Sequence, residues 1–144
     1  MSAQLASAPV SRFTKQHPAT HTSVIDAAAG LEWAVNVPSL QGKFMTYEEA
    51  KKAIAELDHG GRKDWRLPTP HELFSLVGYT HGNKVYDADA FPDMRTDDWY
   101  WTDQVNPAAT SCVFAVTFGS GAVFYLNRHL KAFCRPVASV PARQ

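Results

Sequence analysis

The sequence predicts an α+β fold: two short helices flanking antiparallel or mixed β-sheets, with a long loop region ahead of the last strands. Three observations carry this. Two helix starts are marked by capping boxes, Thr46 with Glu49 and Thr69 with Glu72. Residues 99–137 are rich in aromatic and β-branched side chains broken by short turn signals, as a β-meander is. Between them, residues 79–98 follow neither helical nor strand period.

The most informative stretch is Trp65-Arg66-Leu67-Pro68-Thr69-Pro70-His71-Glu72-Leu73. Trp65 and Leu67 alternate with Arg66, as in a short half-buried strand. Pro68 ends that strand and holds Leu67 extended. Thr69 caps a helix, and Pro70 suits its first position, where no amide donor is required. Leu73, Phe74, Leu76 and Val77 give the helix an apolar face, and Gly78 ends it.

The remaining elements follow in order. Residues 1–11 are small and polar and read as an arm, so the domain is expected to span 12–137 with a tail at 138–144. Arg12-Phe13-Thr14 begins a first strand, and His17 to His21 is a turn. Ser23–Asp26 and Leu31–Val35 are strands, with Trp33 in the core. After the connector Pro38–Gly42, Thr46 caps the first helix. Tyr47, Ala50, Ile54 and Leu57 share its apolar face, while Lys51 and Lys52 face solvent. Asp58-His59-Gly60-Gly61 terminates it. A loop as long as 79–98 is functional or packed by its own side chains, here Tyr86, Phe91 and Pro92. Trp99–Thr102, Cys112–Phe118 and Ala122–Leu126 are strands, the last two joined by a Gly119-Ser120-Gly121 turn. Asn127 to Leu130 turns again, and Lys131–Val137 closes the set.

At 144 residues the chain is long enough for one domain with a real core. Its 14 basic and 14 acidic residues cancel, so no basic field favours nucleic acid or an anionic membrane. No apolar run approaches the roughly 20 residues of a membrane span. Met1 to Val10 lacks the basic cluster and apolar core of a signal peptide. The chain is therefore expected to be synthesised in the cytoplasm and to reach a virion or the extracellular space after lysis. Cys112 and Cys134 sit in no CxxC pair, which argues against zinc. They are buried free thiols or a single disulfide between late strands.

Four chemistries are open to these residues. Asp87, Asp89, Asp93, Asp97, Asp98 and Asp103 lie in or beside the long loop and offer oxygen ligands to calcium, with solvated turn formers as the plain alternative. Asp87, Asp89 and Asp93 are the weak metal candidates, and no cofactor is expected. Trp99, Tyr100, Trp101, Phe124 and Tyr125 offer aromatic faces to a sugar. Strand alternation separates Trp99 and Trp101 from Tyr100, so Trp101 is expected in the core with Trp99 or Tyr100 partly exposed. The six histidines form no HxH or HExxH pair, and His71 reads as solvent-facing. No nucleophile elbow is present, and cysteines in apolar strands are unreactive, so no enzyme is expected. The candidate ligand surface is Trp99, Tyr100, Asp103, Asn106 and Tyr125. The structural frame is Trp33, Trp65, Arg66, Leu67, Pro68, Thr69, Glu72 and Trp101.

Several of these stretches resemble the Legionella collagen-like adhesin C-terminal domain family. Asp26 with Gly30-Leu31-Glu32-Trp33 is similar to its "D…TGLxW", and Thr46 to Leu57 to its "T…EA" helix. Trp65-Arg66-Leu67-Pro68-Thr69 with Glu72-Leu73 matches "WRLPT…EL", its most specific motif. Asp87 with Phe91-Pro92, Trp99-Tyr100-Trp101-Thr102, Val116-Thr117-Phe118 with Gly121, and Phe133 to Val137 resemble later motifs. The likeness covers roughly residues 12–137. It departs at Ala29, where a threonine is usual, and at Thr102-Asp103, which replaces paired serines in a segment read as a loop. The resemblance implies a C-type-lectin-like fold, a distant relation to the formylglycine-generating, sulfatase-modifying factors, and an adhesive or recognition role. The calcium-dependent sugar tripeptides of that fold have no counterpart around Asn106-Pro107. The expected function is a non-enzymatic recognition module on a phage virion, tail or surface assembly that contacts a host glycan or protein. The alternatives are a decoration or capping protein docked on another virion protein, and an intracellular protein-binding regulator or inhibitor. In each case membership of an oligomer or larger assembly is expected, without nucleic acid or membrane insertion.

Overall fold

A computed structural model describes residues 12–17, 19–79 and 82–140, so the arm at 1–11 lies outside the described residues. Three antiparallel strands open the chain, β1 (Phe13–Gln16), β2 (Ser23–Asp26) and β3 (Leu31–Ala34). The helices α1 (Tyr47–Ala55) and α2 (Pro70–Phe74) follow. After the long loop come β4 (Trp99–Val105), β5 (Cys112–Thr117), β6 (Val123–Asn127) and β7 (Val137–Ser139). Two antiparallel sheets result, ordered β1-β2-β3-β7 and β4-β5-β6. The class is α+β, as the sequence predicts.

Both helices begin as their capping residues dictate. Thr46 and Thr69 accept the backbone N–H of Glu49 and Glu72, and each glutamate side chain returns to the cap amide. Tyr47, Ala50 and Ile54 are buried, and Lys51 and Lys52 are exposed, as the 3.6-residue period requires. The second helix is shorter than its apolar pattern suggests. It ends at Phe74, continues as tight turns to Val77, and the Gly78 amide bonds to Val85. Leu73 and Leu76 are buried, whereas Phe74 is 44% exposed and adds nothing to the core.

The core is two clusters, and the strands between them bury both faces. Trp33 lies in one cluster and Ala34 in the other. The same split separates Tyr100 from Trp101, Phe133 from Cys134, and Val137 from Ala138. A period of two with core on both sides leaves near-continuous apolar runs instead of an apolar–polar alternation.

Four further expectations change. Residues 65–67 are not a strand. They make one antiparallel bridge, Arg66 with Val137, closed by two 2.9 Å hydrogen bonds. Their burial alternates as read, with Trp65 and Leu67 buried and Arg66 partly exposed. Residues 131–137 do not close the late meander. Phe133 bridges Tyr100, and the chain then crosses to pair β7 with β3. Ala138 and Ser139, read as the start of a tail, belong to that strand. In the long loop Tyr86 and Phe91 are buried as expected, but Pro92 is exposed.

The junction is held by polar contacts on one side and an indole on the other. Arg66 donates two hydrogen bonds to Glu72, at 2.8 and 2.9 Å. Burial works against the Glu72 carboxylate, yet Arg66 and the Thr69 amide hold its pKa below the ordinary value. The Trp65 indole N–H donates to the His59 carbonyl at 3.1 Å. Replacing Trp65 with alanine is expected to cost about 3–5 kcal/mol by chemical denaturation, as for a fully packed indole. Thr69→Ala should cost about 1 kcal/mol through the lost cap. A cost under about 1 kcal/mol for Trp65→Ala would contradict its place in the core.

Candidate functional site

The candidate surface is the free edge of the second sheet. Among the described residues β6 pairs only with β5, and four of its five residues are exposed. Val123 is 42% exposed, Phe124 52% and Tyr125 40%, an unusual density of apolar area on one strand. Its rings are not isolated. Phe124 stacks on Tyr125 with centroids 4.5 Å apart and lies 6.4 Å from Trp99. Tyr125 meets Phe114 edge-on at 6.2 Å. Trp99, Phe124, Tyr125 and Phe114 thus form one contiguous aromatic ribbon. Gly121 makes it possible: at φ +79° it closes the turn that sends β6 back along β5.

The five sequence-derived ligand candidates divide. Trp99 and Tyr125 are in the ribbon. Tyr100 is not available to a ligand. It is 2% exposed, packs on Phe118 and Phe133, and its hydroxyl accepts the Arg95 amide at 2.8 Å. Burial pushes its phenol pKa up. Of the two rings expected to be partly exposed it is Trp99 that is, and Tyr100 is buried because this strand has core on both faces. Trp101 is fully buried, as expected, and its indole N–H donates to the Met45 carbonyl. Asn106 folds on its own turn, its side-chain oxygen accepting the Ala108 amide.

Asp103 lies elsewhere. Thr102 and Asp103 are not in a loop but in β4, at an irregularity between Trp101 and Val105. The Thr102 hydroxyl donates to the Phe114 carbonyl, and the Asp103 amide donates to Pro68, tying the strand to the junction. The Asp103 side chain borders a groove of about 330 Å³ with Lys51, Ile54, Trp65 and Leu67. Burial and nearby Glu72 raise its carboxyl pKa.

The loop carboxylates serve the fold. Asp87 accepts the amides of Asp89 and Ala90, and Asp89 pairs with Lys15 at 3.1 Å. Among the described residues no group of three or more His, Cys, Asp or Glu side chains gathers for a metal ion. Cys112 and Cys134 are free thiols, and burial pushes the Cys134 pKa up to about 12. Among the described residues no helix is long and apolar enough to cross a membrane.

Asp93 has a partner the sequence reading missed. Arg135 and Asp93 form a buried ion pair at 2.9 Å, their side chains 4% and 5% exposed. Asp93 also accepts the Asn36 amide at 2.8 Å, and Arg135 donates to the Ala34 carbonyl at 3.0 Å. Asn36 holds a left-handed φ of 54° to present that amide. Burial works against both charges, but it is outweighed, by Arg135 with the Asn36 amide at Asp93 and by Asp93 with Tyr100 at Arg135: Asp93 is held below the ordinary carboxylate value and Arg135 above its own. The sequence signal was an arginine flanked by Cys134 and Pro136, and among the five aspartates of the loop nothing local singles out Asp93 as its partner.

A family model described as the Lcl C-terminal domain matches residues 22–138. The chain belongs to this family. The Lcl C-terminal domain match takes in both helices, the junction, the loop and the aromatic ribbon, and it agrees with the resemblance carried by Trp65 to Leu73. A search of curated proteins finds no match. Family membership supports an adhesin-like or recognition module for this Lcl C-terminal domain.

The ion pair predicts an acid-dependent stability. The Asp93 contribution is complete above the ordinary aspartate pKa, near ~4, and is lost as pH falls through its lower native value. Asp93→Asn should therefore flatten the fall in stability below pH ~4. At neutral pH it should cost about 3–5 kcal/mol, because Arg135 is left buried and unpaired. Urea denaturation across pH checks both; an unchanged acid limb in the variant would contradict the assignment.

Proposed function

We propose that this domain is a non-enzymatic recognition module of a phage virion, tail or surface assembly, and that it contacts a host glycan or protein through the aromatic ribbon. The observation that carries the reading is the exposure of Val123, Phe124 and Tyr125 together on an edge strand. Solvated apolar area of this kind is costly in an isolated domain, and it commonly marks a surface that is covered in use. Aromatic rings suit such a role, since they supply large contact area at little cost in side-chain entropy. The C-type-lectin-like architecture belongs to the same proposal. The protonated Cys134 thiol and the engaged loop acids favour binding over catalysis.

The test is adhesion of the purified protein to host cells. Phe124→Ala and Tyr125→Ala should each reduce binding, while thermal midpoints stay near the parent because both rings are half exposed. Undiminished adhesion in the double variant would exclude the ribbon as the contact.

A further inference from the structure

Resting on the ribbon as the contact surface, we infer that its ligand is an uncharged saccharide and not a polyanion. From Gln104 to Asn127 the chain contains no Asp, Glu, Lys, Arg or His. At the chain-wide charged content of 19% a run of that length would carry several. That run comprises β5, β6 and the turn between them, hence three of the four rings of the ribbon.

The charges flanking Trp99 have the wrong sign or are engaged, and the exposed lysines Lys84 and Lys131 lie outside β5 and β6. Asp98 precedes Trp99, and its carboxylate accepts the Trp99 amide at 2.8 Å. Asp97 holds the nearby Arg95 at 2.8 Å, and Asp103 stands exposed further along β4. Beyond Asn127 the nearest cation, Arg128, binds Glu48 and the Thr110 carbonyl. Lys131 is exposed but stands beyond the Asn127–Leu130 turn. Sulfate, carboxylate and phosphate groups are recognised through free arginine and lysine donors. A polyanion laid on this surface would meet acids near Trp99 and no free cation within β5 or β6.

A neutral pyranose meets the opposite conditions. Its C–H face packs on aromatic rings, and its hydroxyls bond to amides and hydroxyls. The ribbon offers the exposed rings of Phe124 and Tyr125, the Tyr125 hydroxyl, and exposed Ser120 at the hairpin turn; at the other end the Asn127 side-chain oxygen accepts the His129 amide, which leaves its NH2 to a ligand.

The experiment immobilises the intact chain and passes two sets of probes. One set is maltohexaose, chitohexaose and mannohexaose; the other is heparin and polysialic acid. At least one neutral oligosaccharide should bind, with an affinity unchanged by added sodium chloride and weakened about tenfold by Phe124→Ala. Circular dichroism confirms that the variant folds, and Phe124→Leu gives a second, more conservative probe of ring stacking. Binding only to heparin or polysialic acid, falling steeply with salt, would overturn the inference. So would neutral-sugar binding indifferent to Phe124→Ala. If no saccharide binds while host-cell adhesion still depends on the ribbon, the sugar class is wrong and the contact surface stands with a protein receptor.

Discussion

One buried ion pair ties three separate segments of this fold together. Arg135 and Asp93 meet where three otherwise unrelated segments converge: the end of β3 at Ala34–Asn36, the long loop, and the crossover into β7. Its walls are aromatic, with the guanidinium 5.4 Å from the Phe91 ring and 5.8 Å from Tyr100. Such a pair adds little net stability over a well-packed apolar substitute. Its leverage is geometric. Among the described residues Arg135 has Asp93 as its one acid partner, which fixes where the loop must lie, and the loop supplies Tyr86, Phe91 and Met94 to the first core cluster.

The crossover that carries Arg135 also explains the two-sided core. Between Phe133 and Ala138 the chain leaves one sheet and joins the other, exposing neither face to water. Local signals made the helices legible: capping boxes, a proline at the first helical position and the 3.6-residue period need only neighbouring residues. The strands were legible as strands for the same reason. Their partners were not. Whether Val137 pairs with a late strand or with β3 depends on contacts over a hundred residues away. The burial of Tyr100 likewise depends on a second cluster that the alternation of one strand cannot reveal.

The ribbon was half legible. Trp99 and Tyr125 could be picked out as aromatic residues in strands, but their joining required the position of β6 at a sheet edge. An interior strand with the same sequence would have buried Phe124 as Val113 and Ala115 are buried. Edge strands usually carry a lysine, a proline or a bulge that discourages pairing with other chains. Here aromatic rings occupy that position instead. Asp103 shows the converse: a residue chosen for a loop turned out to brace β4 against the junction through its backbone.

Native-state hydrogen exchange in Arg135→Lys, which keeps the charge but not the forked geometry, measures the role of the ion pair most directly. The account predicts a selective loss of protection at the Asn36, Phe91 and Met94 amides, with the α1 amides and the β5–β6 ladder unchanged. Equal loss across both sheets and α1, or full protection retained in the loop, would contradict it.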